Sequence, residues 1–181
     1  MIATAAAVGL AGSVLLANQL TTRFGFLHFG PVAVAAGTFA AGAALVLRDF
    51  VQDAAGIRAV LAVIAAGAGL SFVVAAPQLA VASMVAFTFA ELADLLAYTP
   101  IRAHAEFGSQ LWALAVIASG AVGAVVDTLL FLGIAFGWSA VPSALTGQLV
   151  GKTVVSMLFV LMAKGVSRVV SDPADRKPTR A

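Results

Sequence analysis

The stretch "ASMVAFTFAELADLLAY", Ala82–Tyr98, is apolar enough to lie in a membrane, yet it carries two carboxylates, Glu91 and Asp94. Three residues apart on a helix, the two acids share one face. Ser83, Phe87 and Tyr98 fall near that face. Charged side chains inside a membrane turn toward the interior of a bundle or toward a polar cavity. The stretch therefore predicts a helix with lipid on most of its surface and protein on one polar stripe.

Composition sets the class. Of 181 residues, 62% are hydrophobic and only 10% are charged, against roughly 25% charged in a soluble domain. The mean hydropathy is +1.07. Such a chain cannot clothe a water-facing surface, and a polytopic membrane protein embedded in the lipid bilayer is expected. The net charge of +2 is small, and the basic residues do not form a stripe with aromatics, so a nucleic-acid partner is not expected. Cysteine is absent, which excludes disulfides, thiolate catalysis and Cys-based metal sites.

A hydrocarbon core roughly 30 Å thick takes about 20 apolar residues as helix. Six stretches qualify: Ile2–Leu20, Val32–Phe50, Ile57–Ala76, Leu79–Tyr98, Leu111–Phe136 and Ser143–Ser167. The first has no Lys or Arg before its apolar run and no A-x-A site after it, so it reads as a retained span rather than a signal. The fold class expected is an all-α compact bundle of six transmembrane helices. One transport domain covers residues 1–170, and residues 171–181, polar and proline-interrupted, form a disordered cytoplasmic tail. With six spans, Arg48, Arg58, Arg102, Lys164, Arg168, Arg176, Lys177 and Arg180 gather on the side of the termini, and Arg23 lies opposite. That bias places both termini in the cytoplasm. Small residues at i, i+4, among them Gly120 with Ala124 and Ser119 with Gly123, let helices approach closely, although an alanine-rich chain produces such rows by chance.

Other polar residues lie inside the spans. Asp127 is in the fifth; Gln148, Lys152 and Ser156 recur at i, i+4 in the sixth. Each charge near the bilayer centre costs about 2.5–3.5 kcal/mol on insertion scales, so several together argue for a polar interior cavity. Counted from the outer ends of their spans, Asp127 and Lys152 both sit roughly 14 Å deep. An Asp127–Lys152 ion pair is expected, serving either the site or only the docking of two helices. Glu91 and Asp94 lie nearer the depth of Arg48 and Asp49. Arg48 reads either as a partner of these acids or as an interfacial arginine that snorkels. Two neighbouring acids do not both ionise easily in a low dielectric, so one of them is suited to holding a proton or meeting a cationic or donor-rich ligand.

Enzymatic chemistries find little support. His28 and His104 lie in loops, away from any embedded serine. No H-E-x-x-H and no phosphate-cradling glycine loop occur. Asp49 and Asp53, at i, i+4, have a spacing that suits Mg²⁺, but a second aspartate pair is missing. Neither a metal nor a cofactor is expected.

The ordered motifs "ANQLTT", "GTFAAGAALVLRDFVQDAAG", "ASMVAFTFAELADLLAYTPIR", "GAVVDTLLFLGIAFG" and "GQLVGKTVVSMLF" together resemble the VUT family, also called queuosine precursor transporters. The resemblance runs from about Ala17 to Lys164. It matches Asn18, Asp49, Ser83, Glu91, Asp94, Asp127, Thr128, Phe131 and Lys152 to polar or motif positions of the family. The chain departs from it in carrying Glu91 where some members have glutamine, and "SGAVG" where an asparagine is expected. The resemblance implies uptake of 7-deazaguanine compounds across the cytoplasmic (inner) membrane. On that reading Glu91, Asp94, Asp127, Lys152, Asn18, Phe87 and Gln148 bind a purine-like substrate, and Arg48 and Asp49 support or couple the site. Phe87, Phe131 or Trp112 stacks on the ring. A carboxylate suits a guanine-like edge because it accepts two adjacent N–H donors at once. The alternative is the substrate-binding membrane subunit of an energy-coupling vitamin importer, with coupling subunits as partners. A metal-dependent lipid-phosphate enzyme and a purely structural subunit are further alternatives. A homo-oligomer is compatible with any of these.

Overall fold

The computed structural model describes residues 2–30 and 32–171. The tail expected at 171–181 lies, beyond its first residue, outside the described residues. The elements in chain order are α1 (Ile2–Phe24), a β-hairpin of β1 (Phe26–Phe29) and β2 (Val32–Ala35), α2 (Thr38–Val74), α3 (Pro77–Arg102), α4 (Gln110–Phe136), a 3₁₀ turn (Trp138–Ala140) and α5 (Val141–Ser171). Five helices are long and apolar enough to cross a membrane. The fold is all-α apart from the hairpin.

The second helix is too long to be one crossing. Its 37 residues would span about 55 Å, nearly twice a bilayer core of roughly 30 Å. Gly56 interrupts it with φ 79° and ψ 176°, a conformation open to glycine and costly for residues with a Cβ. The two parts, 38–55 and 57–74, fold back on each other. In a straight helix Thr38 and Ser71 would stand about 50 Å apart, yet both line one cavity. Each part is about 27 Å long.

One expected boundary is corrected. The second span was expected from Val32, but Val32–Ala35 is a strand and the helix starts at Thr38. The hairpin is antiparallel, with Phe26 opposite Ala35 and Phe29 opposite Val32. Gly30 follows β1 at φ 61°, which turns the chain without the strain a side chain would bring. Aromatic and β-branched residues then favour the extended form on a half-buried surface. The hairpin lies on α4 and α5. Phe26 meets Phe136 edge-on at 5.0 Å, beside Leu132, Val141 and Ala144.

The bundle is polar inside and apolar outside. Arg48, Asp49, Glu91, Asp94 and Lys152 are at most 1% exposed, while Val73, Leu96 and Met162 are 79%, 76% and 68% exposed. A water-soluble fold would invert that order; a lipid-facing one requires it. The chain is a multi-pass membrane protein. The small-residue row of α4 has a packing role. A Cβ on Gly123 would sit 2.9 Å from Leu45 Cδ2 and 3.1 Å from Asp94 Cβ, so glycine there lets α4 close on α2 and α3.

Candidate functional site

The polar residues form three layers along the bundle. The first is a cavity of about 680 Å³, its open mouth included. Each helix contributes the half remote from the start of α1 and the end of α5. Asn18 comes from α1, Thr38 from α2, Phe87 and Glu91 from α3, Asp127 from α4 and Gln148 from α5. Helix geometry explains the convergence. Leu79, Ser83, Phe87, Ala90 and Glu91 recur at three- and four-residue steps and so line one stripe of α3.

Several side chains of this layer are held by neighbours. Asn18 Nδ2 donates to Val14 O at 3.0 Å and to Ser71 Oγ at 3.2 Å. Thr38 Oγ1 donates to Gln148 Oε1 at 3.4 Å. The expected ion pair is present: Lys152 Nζ donates to Asp127 and also to Thr128 Oγ1 at 2.9 Å. Lys152 does not line the cavity. It sits behind Asp127, whose carboxylate is 20% exposed. Phe87 and Phe131 line the cavity as expected of stacking candidates. Trp112 does not. It is 1% exposed, among Phe50 and Phe107.

The second layer is ionic and buried. Arg48 contacts Asp49 at 2.9 Å, Glu91 at 3.4 Å and Asp94 at 2.5 Å. It also donates to Gln52 Oε1 at 3.0 Å, and its guanidinium lies 5.5 Å from the Tyr98 ring centre, within cation–π range. The snorkelling alternative for Arg48 is thereby corrected. Three acids converge on it, and a buried cation is held only where such partners exist. Arg48 therefore drops out of the count of interfacial charges. Asp49 and Asp94 belong to this layer and not to the cavity wall. Glu91 joins the two, since Oε2 faces Arg48 and the residue lines the cavity.

The third layer was not foreseen. Asp53 accepts from Tyr98 Oη at 3.0 Å, Arg102 Nε at 2.6 Å and Trp112 Nε1 at 2.9 Å. Gln52 donates to Thr99 Oγ1 at 3.1 Å. The Mg²⁺ reading of Asp49 and Asp53 is corrected, because Asp49 faces Arg48 and Asp53 is saturated by donors; among the described residues no cluster fit for a metal occurs. A signal for this layer was in the sequence. Tyr98 and Arg102 continue the Glu91–Asp94 stripe down the same face of α3.

Residues 70–165, just over half of the chain, match the family model described as "Putative vitamin uptake transporter". Comparison with curated proteins and with solved structures returns no match. The match takes in all of α3 and α4 and most of α5, and with them Glu91, Asp94, Asp127, Gln148 and Lys152. Asn18, Arg48 and Asp49 fall outside it. The chain belongs to the vitamin uptake transporter (VUT) family, and the family assigns it transport of a small molecule rather than catalysis.

Proposed function

We propose that the chain imports 7-deazaguanine bases, precursors of queuosine, across the cytoplasmic membrane. The observation that carries this reading is the acid-floored cavity: Glu91 and Asp127 face a space that five helices enclose and no lysine, arginine or histidine among the described residues lines. A guanine-like edge presents adjacent N–H and NH₂ donors, which one carboxylate accepts together. Phe87 and Phe131 offer faces for the planar ring. Asn18 and Gln148 complete the polar wall.

On this reading the chain crosses the membrane six times, the 38–55 and 57–74 segments each crossing once. Both termini face the cytoplasm, and the cavity opens outward. The ionic layer then stands between substrate and cytoplasm. Its three acids and one arginine suit proton coupling, with Glu91 in contact with both substrate and Arg48. Arg48 and Asp49 are assigned to coupling and Asp94 to the floor behind Glu91.

Proteoliposomes holding only this chain test the reading. Uptake of a labelled 7-deazaguanine base, raised by an inward proton gradient, is the expected result. Uptake indifferent to that gradient removes the coupling. Uptake that requires an added ATPase subunit would establish the energy-coupled vitamin importer instead, the reading closest to the family's description.

A further inference from the structure

We infer that Gln148 reads a single hydrogen-bond acceptor on the substrate while the rest of the cavity wall takes donors, which admits a planar lactam and turns away carboxylate- or phosphate-bearing vitamins. The inference deepens the proposed function and rests on it for the transport step alone.

It starts from the hydrogen-bond capacity of each wall group. Gln148 is 2% exposed. Its Oε1 accepts from the Thr38 hydroxyl at 3.4 Å. Its Nε2 has no partner in the protein. A buried amide donor left unmatched costs about 1–3 kcal/mol, so an acceptor brought to it by a ligand recovers that cost. Asn18 is committed the other way. Both of its N–H groups are used, on Val14 O and Ser71 Oγ, which leaves Oδ1 as an acceptor only. Glu91 turns Oε2 to Arg48 and Asp127 turns Oδ2 to Lys152. The second oxygen of each, when ionised, is an acceptor.

The hydroxyls of Thr21, Ser71 and Ser83 can rotate to give or to take; the Asn18 amide is fixed by Val14 O, and an ionised carboxylate only accepts. With Glu91 and Asp127 ionised, the wall thus offers three acceptors and, in Gln148 Nε2, one unmatched donor. A carboxylate or phosphate ligand brings only acceptors. It would meet two acids whose cations, Arg48 and Lys152, stand behind them and off the cavity wall, an arrangement that leaves its charge without a direct partner and costs desolvation. A 2-amino-4-oxo-pyrimidine edge brings two adjacent donors and one carbonyl, the complement of the wall. The family's description covers vitamins of either kind; this cavity selects the uncharged or cationic ones.

Equilibrium binding to the purified full chain tests this with guanine, 7-deazaguanine, 6-thioguanine and biotin. 6-Thioguanine keeps the N–H pattern of guanine and replaces its carbonyl with a poor acceptor. The wild-type protein should favour guanine over 6-thioguanine about tenfold, about the contribution of one buried hydrogen bond, and should leave biotin unbound. In Gln148→Leu that ratio should collapse toward one. Should the leucine variant not fold, Gln148→Glu keeps the shape and replaces the donor by an acceptor, with the same loss of preference expected. Equal weakening of both bases by either variant overturns the inference, as does competitive binding of biotin or a panel in which no purine probe binds. Purine binding with an intact Gln148 effect but no transport would fail the proposed function and leave this inference standing.

Discussion

Replacing Arg48 by methionine probes the ionic layer most sharply. The side chain is fully buried and faces three carboxylates at 2.5 to 3.4 Å. Methionine fills similar space without charge, so packing is largely kept and the electrostatic consequence stands out. Asp49, Glu91 and Asp94 would remain buried with no cation among them. Removing one partner of a buried ion pair costs about 3–5 kcal/mol, and three stranded acids place this variant at the upper end of that range. The magnitude can be separated from lost packing by a second change. Asp94→Asn in the Arg48→Met background removes one of the stranded charges and should recover about 1 kcal/mol or more, whereas in the wild-type background it should destabilise. Equilibrium unfolding of the purified protein in detergent micelles measures all four species. A loss below about 1 kcal/mol for Arg48→Met, the scale of an exposed pair, would refute the view of Arg48 as the cation of a buried cluster. So would additive effects of the two changes.

Two glycines should respond to alanine to different degrees and for different reasons. At Gly37 a Cβ would fall 2.1 Å from Ala17 O and 2.6 Å from Thr21 Oγ1, so Gly37→Ala should cost about 3 kcal/mol or more in unfolding measurements, the upper end of overpacking. At Gly56 a Cβ meets nothing within 4 Å, and Gly56→Ala should lose only the backbone preference of its φ 79°, ψ 176° conformation, about 1–3 kcal/mol. Lys152→Met strands Asp127, but that carboxylate reaches the cavity with 20% exposure; the same assay should show a smaller loss than for Arg48→Met. Asp53→Ala strands the buried indole N–H of Trp112 and frees its surroundings, so a fluorescence change with about 1–3 kcal/mol of destabilisation is expected.

Much of the site was legible because charge in a membrane is expensive and therefore informative. The spacing of Glu91 and Asp94, and the matched depths of Asp127 and Lys152, follow from helix geometry alone. What was not legible has a common cause. Hydropathy reports burial in lipid and is blind to backbone conformation, so Val32–Ala35 read as helix and proved to be strand. Lys and Arg counting treats every cation as interfacial, so Arg48 was placed by sequence distance from a span end when two of its three acidic partners, Glu91 and Asp94, sit on another helix. The aspartate Asp53 was read against Asp49, its neighbour along the chain, while its donors Tyr98, Arg102 and Trp112 come from α3 and α4. Trp112 offered no sign of being anchored there rather than in the cavity.

The acid-floored cavity as a substrate site is tested most directly by uptake of a labelled 7-deazaguanine base into cells that lack both an importer and their own synthesis of it. Wild type would be compared with Glu91→Gln and Asp127→Asn at matched membrane levels. Uptake by the wild type that falls by tenfold or more in both variants is the expected result. Undiminished uptake in both variants, or none by a correctly inserted wild type, would contradict it.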